Sequence, residues 1–255
     1  MARAAVPGRL TGGRLVWRVA TLVERRDETP TARTLVLDLP GWPGHLAGQH
    51  VDVRLTAEDG YSTQRSYSIA SAVDDDRVEI TVQRVADGEV SPYLDEVLRV
   101  GDEVEVRGPI GGYFLWRPTD PAPVLLVGGG SGVVPLMAMV RARRAAGSRV
   151  PFRLIYSVRT SDDRYYADEL RRRVRDDAGL DVTYVYTRAV PDGWPVPPGR
   201  LTVAGVNTAG WPAALEPACY VCGPTAFVET VADMLVALGH EPRRIRTERF
   251  GPTGT

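Results

Sequence analysis

Four short segments of this chain carry residue types suited to holding flat, phosphate-bearing ligands. Arg65-Ser66-Tyr67-Ser68 combines three chemistries. A guanidinium offers a forked donor to a phosphate, a tyrosine face stacks on a flat heterocycle, and a serine hydroxyl can reach a ring nitrogen. Taken alone, the segment is equally an ordinary strand with one exposed arginine. Gly88 to Ser91 precedes Pro92, a pattern that makes Ser91 the N-cap of a short helix with proline at its first position. Gly88 relaxes the preceding turn, and the helix start offers a second place for an anion. Gly128-Gly129-Gly130-Ser131-Gly132-Val133-Val134-Pro135 begins near the middle of the chain. It follows an apolar run, Val124 to Val127, and opens a helical one, the context in which glycines let backbone N–H groups approach a phosphate. Pro135 replaces the third glycine of the dinucleotide fingerprint. Cys222-Gly223-Pro224 closes a buried apolar strand pattern.

The elements that must position these segments change character along the chain. From residue 14 to about 116, short alternating strands are separated by turn signals. Strand patterns cover 16–23, 34–39, 50–55, 78–85 and 101–107, and a helix covers 91–98. With the strand that carries Arg65, they predict a six-stranded closed antiparallel barrel. A proline-rich stretch, Arg117 to Pro123, marks a break. Beyond it, strands at 124–127, 152–156, 182–186, 219–222 and 244–248 alternate with helices at 134–146, 165–177 and 225–238. That alternation predicts a doubly wound parallel sheet with helices on both faces. The expected division is a flexible N-terminus over 1–13, a barrel domain over 14–118 and an α/β domain over 122–255.

Composition narrows the function. The 255 residues are 44% hydrophobic and 25% charged, ordinary for a globular protein. A net charge of −1 gives no basic field to attract nucleic acid. No apolar run approaches the ~18 residues of a membrane helix, and the N-terminus lacks the apolar core of a signal peptide. The expected location is therefore cytoplasmic, with no membrane partner. All 31 basic residues are arginine, which reads as biased codon usage. No metal site is expected: Cys219 and Cys222 are the only cysteines, and an iron–sulfur cluster of the [2Fe–2S] type takes four thiolates. On a strand, residues three apart point to opposite faces, which argues against a redox dithiol.

In this order, the motifs resemble those of the ferredoxin–NADP reductase superfamily. R-S-Y-S is similar to its R-x-Y-S flavin motif, and Val82-Gln83-Arg84 with Gly88 to Ser91 is similar to its second flavin segment. Gly108 to Gly111 resembles its G-P-x-G turn, Gly130 to Pro135 its G-x-G-x-x-P, and Cys222-Gly223-Pro224 its C-G-P. The resemblance runs from about residue 14 to the C-terminus. It implies a flavin-binding barrel followed by an NAD(P)-binding domain. Arg65 would then bind the flavin pyrophosphate, Tyr67 would pack on the isoalloxazine or ribityl chain, and Ser68 would hydrogen-bond near flavin N5, with Ser66 in the same cofactor segment. Val82, Arg84, Gly88, Val90 and Ser91 would line the pyrophosphate and adenine side. Gly130, Ser131 and Gly132 would hold the nucleotide phosphates, and Cys222, with Gly223 and Pro224, would lie near the nicotinamide C4. Glu248-x-Phe250 reproduces a terminal spacing in which an aromatic covers the flavin and an acid sits two positions earlier. Ser68, Cys222 and Glu248 are thus the expected catalytic residues. Plant-type members end on the aromatic, whereas five residues follow Phe250 here.

The G-x-x-S segment before a helix suits the longer pyrophosphate, so FAD is expected rather than FMN. Ser157, Arg159, Thr187 and Arg188 end the second and third strands of the α/β half and resemble the family's clamp on a 2′-phosphate. They favour NADPH, while Asp162 and Asp163 keep NADH open. The implied function is a flavoprotein reductase that passes electrons singly to a separate carrier, a ferredoxin serving an oxygenase or cytochrome P450, because no iron–sulfur or haem motif follows Phe250. Two alternatives stay open: a reductase of free flavin or another small acceptor, and a non-catalytic redox-sensing or electron-transfer subunit. Arginine clusters at 141–144, 171–175 and 243–246 suit either docking of an acidic carrier protein or plain solvated helix faces.

Overall fold

Period-two alternation buries one side of each strand in the first half of the chain and bends those strands around a single core. A computed structural model describes residues 15–73 and 77–251, so the expected flexible segment over 1–13 and the tail after Gly251 lie outside the described residues. Strands β1 (Trp17–Thr29), β2 (Ala32–Asp38), β3 (His50–Thr56), β4 (Ser62–Ser68), β5 (Arg77–Gln83) and β6 (Glu103–Ile110) pair antiparallel in the order β4-β3-β6-β1-β2-β5. The two edges meet: Ile69 bridges Ile80, and the Ala70 N–H donates to the Glu79 carbonyl at 2.7 Å. The sheet thus closes on a core of Leu22, Leu35, Leu37, Val51, Val53, Ile80 and Val106. β1 outruns its sequence pattern because register shifts after Leu22 and Asp27 break the alternation.

The short helix differs from expectation. Helix α1 (Val90–Pro92) continues directly into a wide helical turn over Tyr93–Val97. Glu89 already has helical backbone angles and is the N-cap, so Ser91 lies inside the helix. Instead of capping, the Ser91 hydroxyl accepts from the Val85 N–H at 3.0 Å and ties the preceding loop to the helix.

The second half forms a parallel sheet of β7 (Val124–Gly129), β8 (Phe152–Val158), β9 (Leu180–Tyr186), β10 (Ala218–Pro224) and β11 (Ile245–Phe250), ordered β11-β10-β7-β8-β9. Helices α2 (Val133–Ala145), α3 (Ala167–Asp176), α4 (Val203–Ala209) and α5 (Thr225–Ala237) accompany it. α4 was not visible in the periodicity; Thr202 caps it by accepting from the Gly205 N–H at 3.1 Å. β7 is flanked by β8 on one side and β10 on the other, so strand order reverses at its C-terminal end. Open α/β sheets bind ligands in the crevice at such a switch point.

The two halves share one packed cluster in which Ala47, Ala70, Phe114 and Trp116 meet Leu126, Met137 and Cys222. Arg141 of α2 reaches across to Glu79 of β5 at 2.8 Å and the Ala70 carbonyl at 3.0 Å, while pairing with Glu169 of α3 at 2.5 Å. Tyr166 lies under that guanidinium in a left-handed conformation, φ 56°. Its N–H donates to Glu28 of β1 at 2.8 Å, and its phenol bonds the Thr81 hydroxyl. Arg141 and Arg143 are thus internal fastenings, whereas Arg171, Arg172 and Arg175 lie on an exposed helix face. Arg143 is buried and paired with Asp177, Arg173 pairs with Glu169 at 2.5 Å, Arg171 with Asp168 at 2.9 Å, Arg244 with Glu216 at 2.5 Å, and Arg246 donates to the Leu115 carbonyl at 2.6 Å. No helix among the described residues is long and apolar enough to cross a membrane.

Candidate functional site

Strand β4 presents its segment unevenly. Arg65 is exposed and, among the described residues, donates only to its neighbours, the Gln64 carbonyl at 2.7 Å and the Thr63 hydroxyl at 3.4 Å, with no acid paired to it. Tyr67 is partly buried, and burial raises its phenol pKa. Ser66 does not join that face: its hydroxyl donates to Asp52 at 2.7 Å, which also takes Arg107 at 2.6 Å. The Ser68 hydroxyl is buried with no partner among the described residues. A buried unsatisfied hydroxyl costs roughly 1–3 kcal/mol, so Ser68 marks a position where a ligand atom would complete the site.

The second flavin segment also divides. Val82 and Val90 are fully enclosed in the barrel core, which leaves only their backbones for a ligand. A Cβ on Gly88 would lie 3.1 Å from the Ser91 hydroxyl and 3.2 Å from the Val85 carbonyl, so the turn is tight there. Arg84 is engaged: it pairs with Glu96 and lies 3.6 Å from Asp95. That pairing fastens β5 to the helix that carries Ser91.

The glycine turn is built against β10. Gly130 takes φ 54°, in the left-handed region that favours glycine, and a Cβ on Gly132 would lie 2.1 Å from the Cys222 carbonyl oxygen. Only a residue without a side chain lets the turn meet the end of β10. Cys222 pairs in register with Glu248 of β11, with its Sγ 3.8 Å from a Glu248 carboxylate oxygen. Burial pushes the Glu248 carboxyl up to about 7. The Cys222 thiol rises well above its ordinary value, first through burial and then through the adjacent Glu248 charge. Pro224 is level with Phe250, and Phe250 packs on the cluster that contains both Cys222 and Ala70, two residues beyond Ser68. Cys222 of β10, Phe250 of β11 and Ala70, two residues past the end of β4, thus belong to one packed cluster. Cys219 belongs to the opposite face of the sheet, among Leu125, Val127 and Val221, and both cysteines are free.

Beside the glycine turn lies a cavity of about 240 Å³. Gly129, Gly130, Ser131, Pro224 and Phe227 form one wall, and Ser157, Arg159, Asp163, Tyr165 and Thr187 form another. Thr29, Thr31 and Gln83 of the barrel form the third. Of the expected clamp, Ser157, Arg159 and Thr187 are brought together; Arg188 does not line the cavity, though its N–H donates to the Arg159 carbonyl at 2.9 Å. Asp163 accepts from the Thr160 N–H at 2.9 Å and the Thr160 hydroxyl at 2.8 Å, both at Oδ2, and Asp162 is not in the lining. The Arg159 guanidinium has no ion pair among the described residues. Sequence reasoning missed Tyr165, Phe227, Thr29 and Thr31, for which no local motif exists. A second cavity of about 260 Å³, lined by Glu216, His240 and Arg244, lies at the opposite ends of β10 and β11 and touches none of these motifs. Among the described residues, no group of three or more His, Cys, Asp or Glu is placed to hold a metal.

The family model of the oxidoreductase FAD-binding domain matches residues 19–114, and that of the oxidoreductase NAD-binding domain matches residues 126–233. The reductase subunit of an aromatic O-demethylase from an Amycolatopsis species is 30% identical over 248 residues, covering 91% of this chain and 69% of that protein. The chain belongs to the ferredoxin–NADP reductase superfamily. Its architecture of an antiparallel barrel followed by a parallel sheet is that of the superfamily, and it carries the FAD- and NAD-binding domains of an oxidoreductase. Another superfamily relative, the ferredoxin–NAD(P)+ reductase component of a naphthalene 1,2-dioxygenase system from Pseudomonas putida, is 31% identical over 212 residues, 81% of this chain and 61% of that one. Among solved structures, the FAD/NAD-binding domain of a Vibrio cholerae nitric oxide dioxygenase aligns with a TM-score of 0.81 at 26% identity, covering 92% of this chain and 99% of that one. An Amycolatopsis cytochrome P450 reductase aligns at 0.79 and 29% identity, covering 96% and 74%. The chain spans about three fifths of the length of the first curated relatives it matches: 61%, 61% and 63%.

Proposed function

We propose that this protein oxidises NADPH at a bound FAD and passes the electrons singly to a separate carrier protein, a ferredoxin serving an oxygenase or a cytochrome P450. The observation that carries this reading is the buried Ser68 hydroxyl, unpartnered among the described residues, two positions before Ala70, which shares a packed cluster with Cys222, the partner of Glu248. Such a hydroxyl, with an unpaired Arg65 beside a half-buried Tyr67, fits a flavin. Bound FAD supplies two-electron acceptance from a nicotinamide and one-electron release to a carrier. The protein's own contribution is orientation and electrostatics. Arg65 neutralises the cofactor pyrophosphate, Tyr67 packs against the flavin, and Ser68 donates a hydrogen bond at its reactive edge. The glycine turn gives its N–H groups to the NADPH phosphates, and Arg159, Ser157 and Thr187 take the 2′-phosphate. Cys222 packs beside the nicotinamide, and Glu248 holds a proton near neutral pH beside it. Phe250 closes the pocket from the edge of β11 and keeps water from it. NADPH is favoured over NADH because Arg159 is unpaired, whereas Asp163 is bound to Thr160.

Relatives named as reductase components of oxygenase systems support the choice of acceptor. Its test is steady-state NADPH oxidation with a ferredoxin and cytochrome c, set against added free FMN. Fast ferredoxin-dependent cytochrome c reduction with slow FMN reduction is expected. Fast turnover on FMN that ferredoxin does not alter overturns the carrier assignment in favour of a small-acceptor reductase.

A further inference from the structure

We infer that Tyr165 and the β1–β2 turn bind the anionic phosphoribosyl part of the nicotinamide nucleotide across the boundary between the two halves of the protein. The inference rests on reading the cavity of about 240 Å³ as the nucleotide site. Tyr165 is 3% exposed, yet it lines that cavity, and its phenol makes no hydrogen bond among the described residues. A tyrosine so buried ordinarily finds a partner for its hydroxyl. The side chain is held from several directions. The Tyr165 N–H donates to the Tyr156 phenol at 3.1 Å, and the ring meets that of Tyr166 edge-on at 6.3 Å. Tyr166 is in turn fastened to the barrel through Glu28 at 2.8 Å.

The facing wall belongs to the barrel. Thr29 is buried, and its hydroxyl oxygen accepts from the Thr31 N–H at 3.3 Å, which leaves its own O–H free to donate. Thr31 sits at the tip of the turn between β1 and β2 and also lines the cavity. Burial keeps the Tyr165 phenol a neutral donor, an effect that the charges of Asp163 and Glu28 reinforce and that of Arg159 opposes. A cavity edged by hydroxyl donors, one guanidinium with no ion pair among the described residues, and a carboxylate, Asp163, that is turned to Thr160 suits an oxyanion flanked by ribose hydroxyls, the carboxylate being an acceptor for the latter. Binding there clamps the barrel to the parallel sheet.

The test uses the full FAD-loaded chain and adenosine 2′,5′-bisphosphate as the probe, with Kd read by titration calorimetry. Tyr165→Phe keeps the ring and removes only the hydroxyl. It is expected to weaken the probe about tenfold, or about 1.4 kcal/mol, with unchanged flavin content. Thr31→Val is expected to weaken it about threefold. Wild-type Kd in both variants, alongside a weakened Arg159→Ala, overturns the cross-boundary wall and leaves the nucleotide reading standing. Wild-type Kd in all three removes the nucleotide reading of the cavity together with the inference. Should Tyr165→Phe fail to fold, hydrogen exchange of wild-type residues 29–32 decides: slower exchange on adding the probe supports the inference, and unchanged exchange overturns it.

Discussion

Replacing Arg159 by alanine should separate NADPH from NADH. The Arg159 side chain is exposed and has no ion pair among the described residues, so its loss removes no internal contact. It lines the cavity with Ser157 and Thr187 beside the glycine turn. A charge-assisted hydrogen bond to a phosphate contributes about 1.5–3 kcal/mol, which corresponds to roughly a 10- to 150-fold change in affinity. The 2′-phosphate is absent from NADH, so KM for NADH should stay within about twofold of wild type, the range of surface effects. The assay is steady-state ferricyanide reduction with each nucleotide, followed by anaerobic stopped-flow reduction of the flavin to give Kd directly. The NADPH penalty should shrink at high salt, because the contact lies at the surface. Equal losses for the two nucleotides would refute the assignment of Arg159 to the 2′-phosphate.

Other outcomes follow from the same geometry. Glu248 holds its proton below about pH 7, so the rate of flavin reduction should fall as pH rises through about 7, and Glu248→Gln should flatten that limb of the profile. The same shift has a stability consequence: the folded carboxyl binds a proton that the unfolded one, titrating near 4.5, has released, so stability should decline from about pH 4.5 to 7. Urea midpoints across that range should lose this slope in Glu248→Gln. Arg141→Ala removes the guanidinium that joins Glu79 to Glu169, each of which keeps a second arginine (Arg26 and Arg173), and should cost about 2 kcal/mol in urea unfolding. Gly132→Ala drives a Cβ to within 2.1 Å of the Cys222 carbonyl oxygen and should abolish NADPH binding, whereas Gly130→Ala meets no atom within 4 Å and should lose only about 1 kcal/mol of stability through backbone strain. Nucleotide titration and thermal melts of the two variants compare them directly.

What was legible in the sequence was what local pattern encodes. The Arg65 segment, the glycine turn and Cys222-Gly223-Pro224 each lie within a few residues, and the alternation patterns encode both sheets. The errors lie where position depends on distant partners. Ser91 with Pro92 has the composition of a cap, yet Glu89 already turns the helix, which frees the Ser91 hydroxyl for Val85. Arg84 matches a flavin motif in type, but Asp95 and Glu96, eleven and twelve residues further on, engage it. Arg141 and Arg143 are not surface charges, which local pattern conceals because Glu79, Glu169 and Asp177, which pair them, are remote in sequence, whereas Arg171 and Arg175 do lie on a solvated helix face. The cavity wall of Thr29, Thr31 and Tyr165 has no motif at all, since it arises only when the barrel docks on the parallel sheet.

The central claim, that hydride from NADPH reaches an FAD held by this chain, is tested most directly by anaerobic titration of the purified protein with NADPH and NADH while following the flavin band near ~450 nm. Protein that is yellow as isolated and bleached by stoichiometric NADPH, with NADH effective only at higher concentration, is the predicted result. Colourless protein that takes up no FAD, or yellow protein that neither nucleotide bleaches, would contradict it.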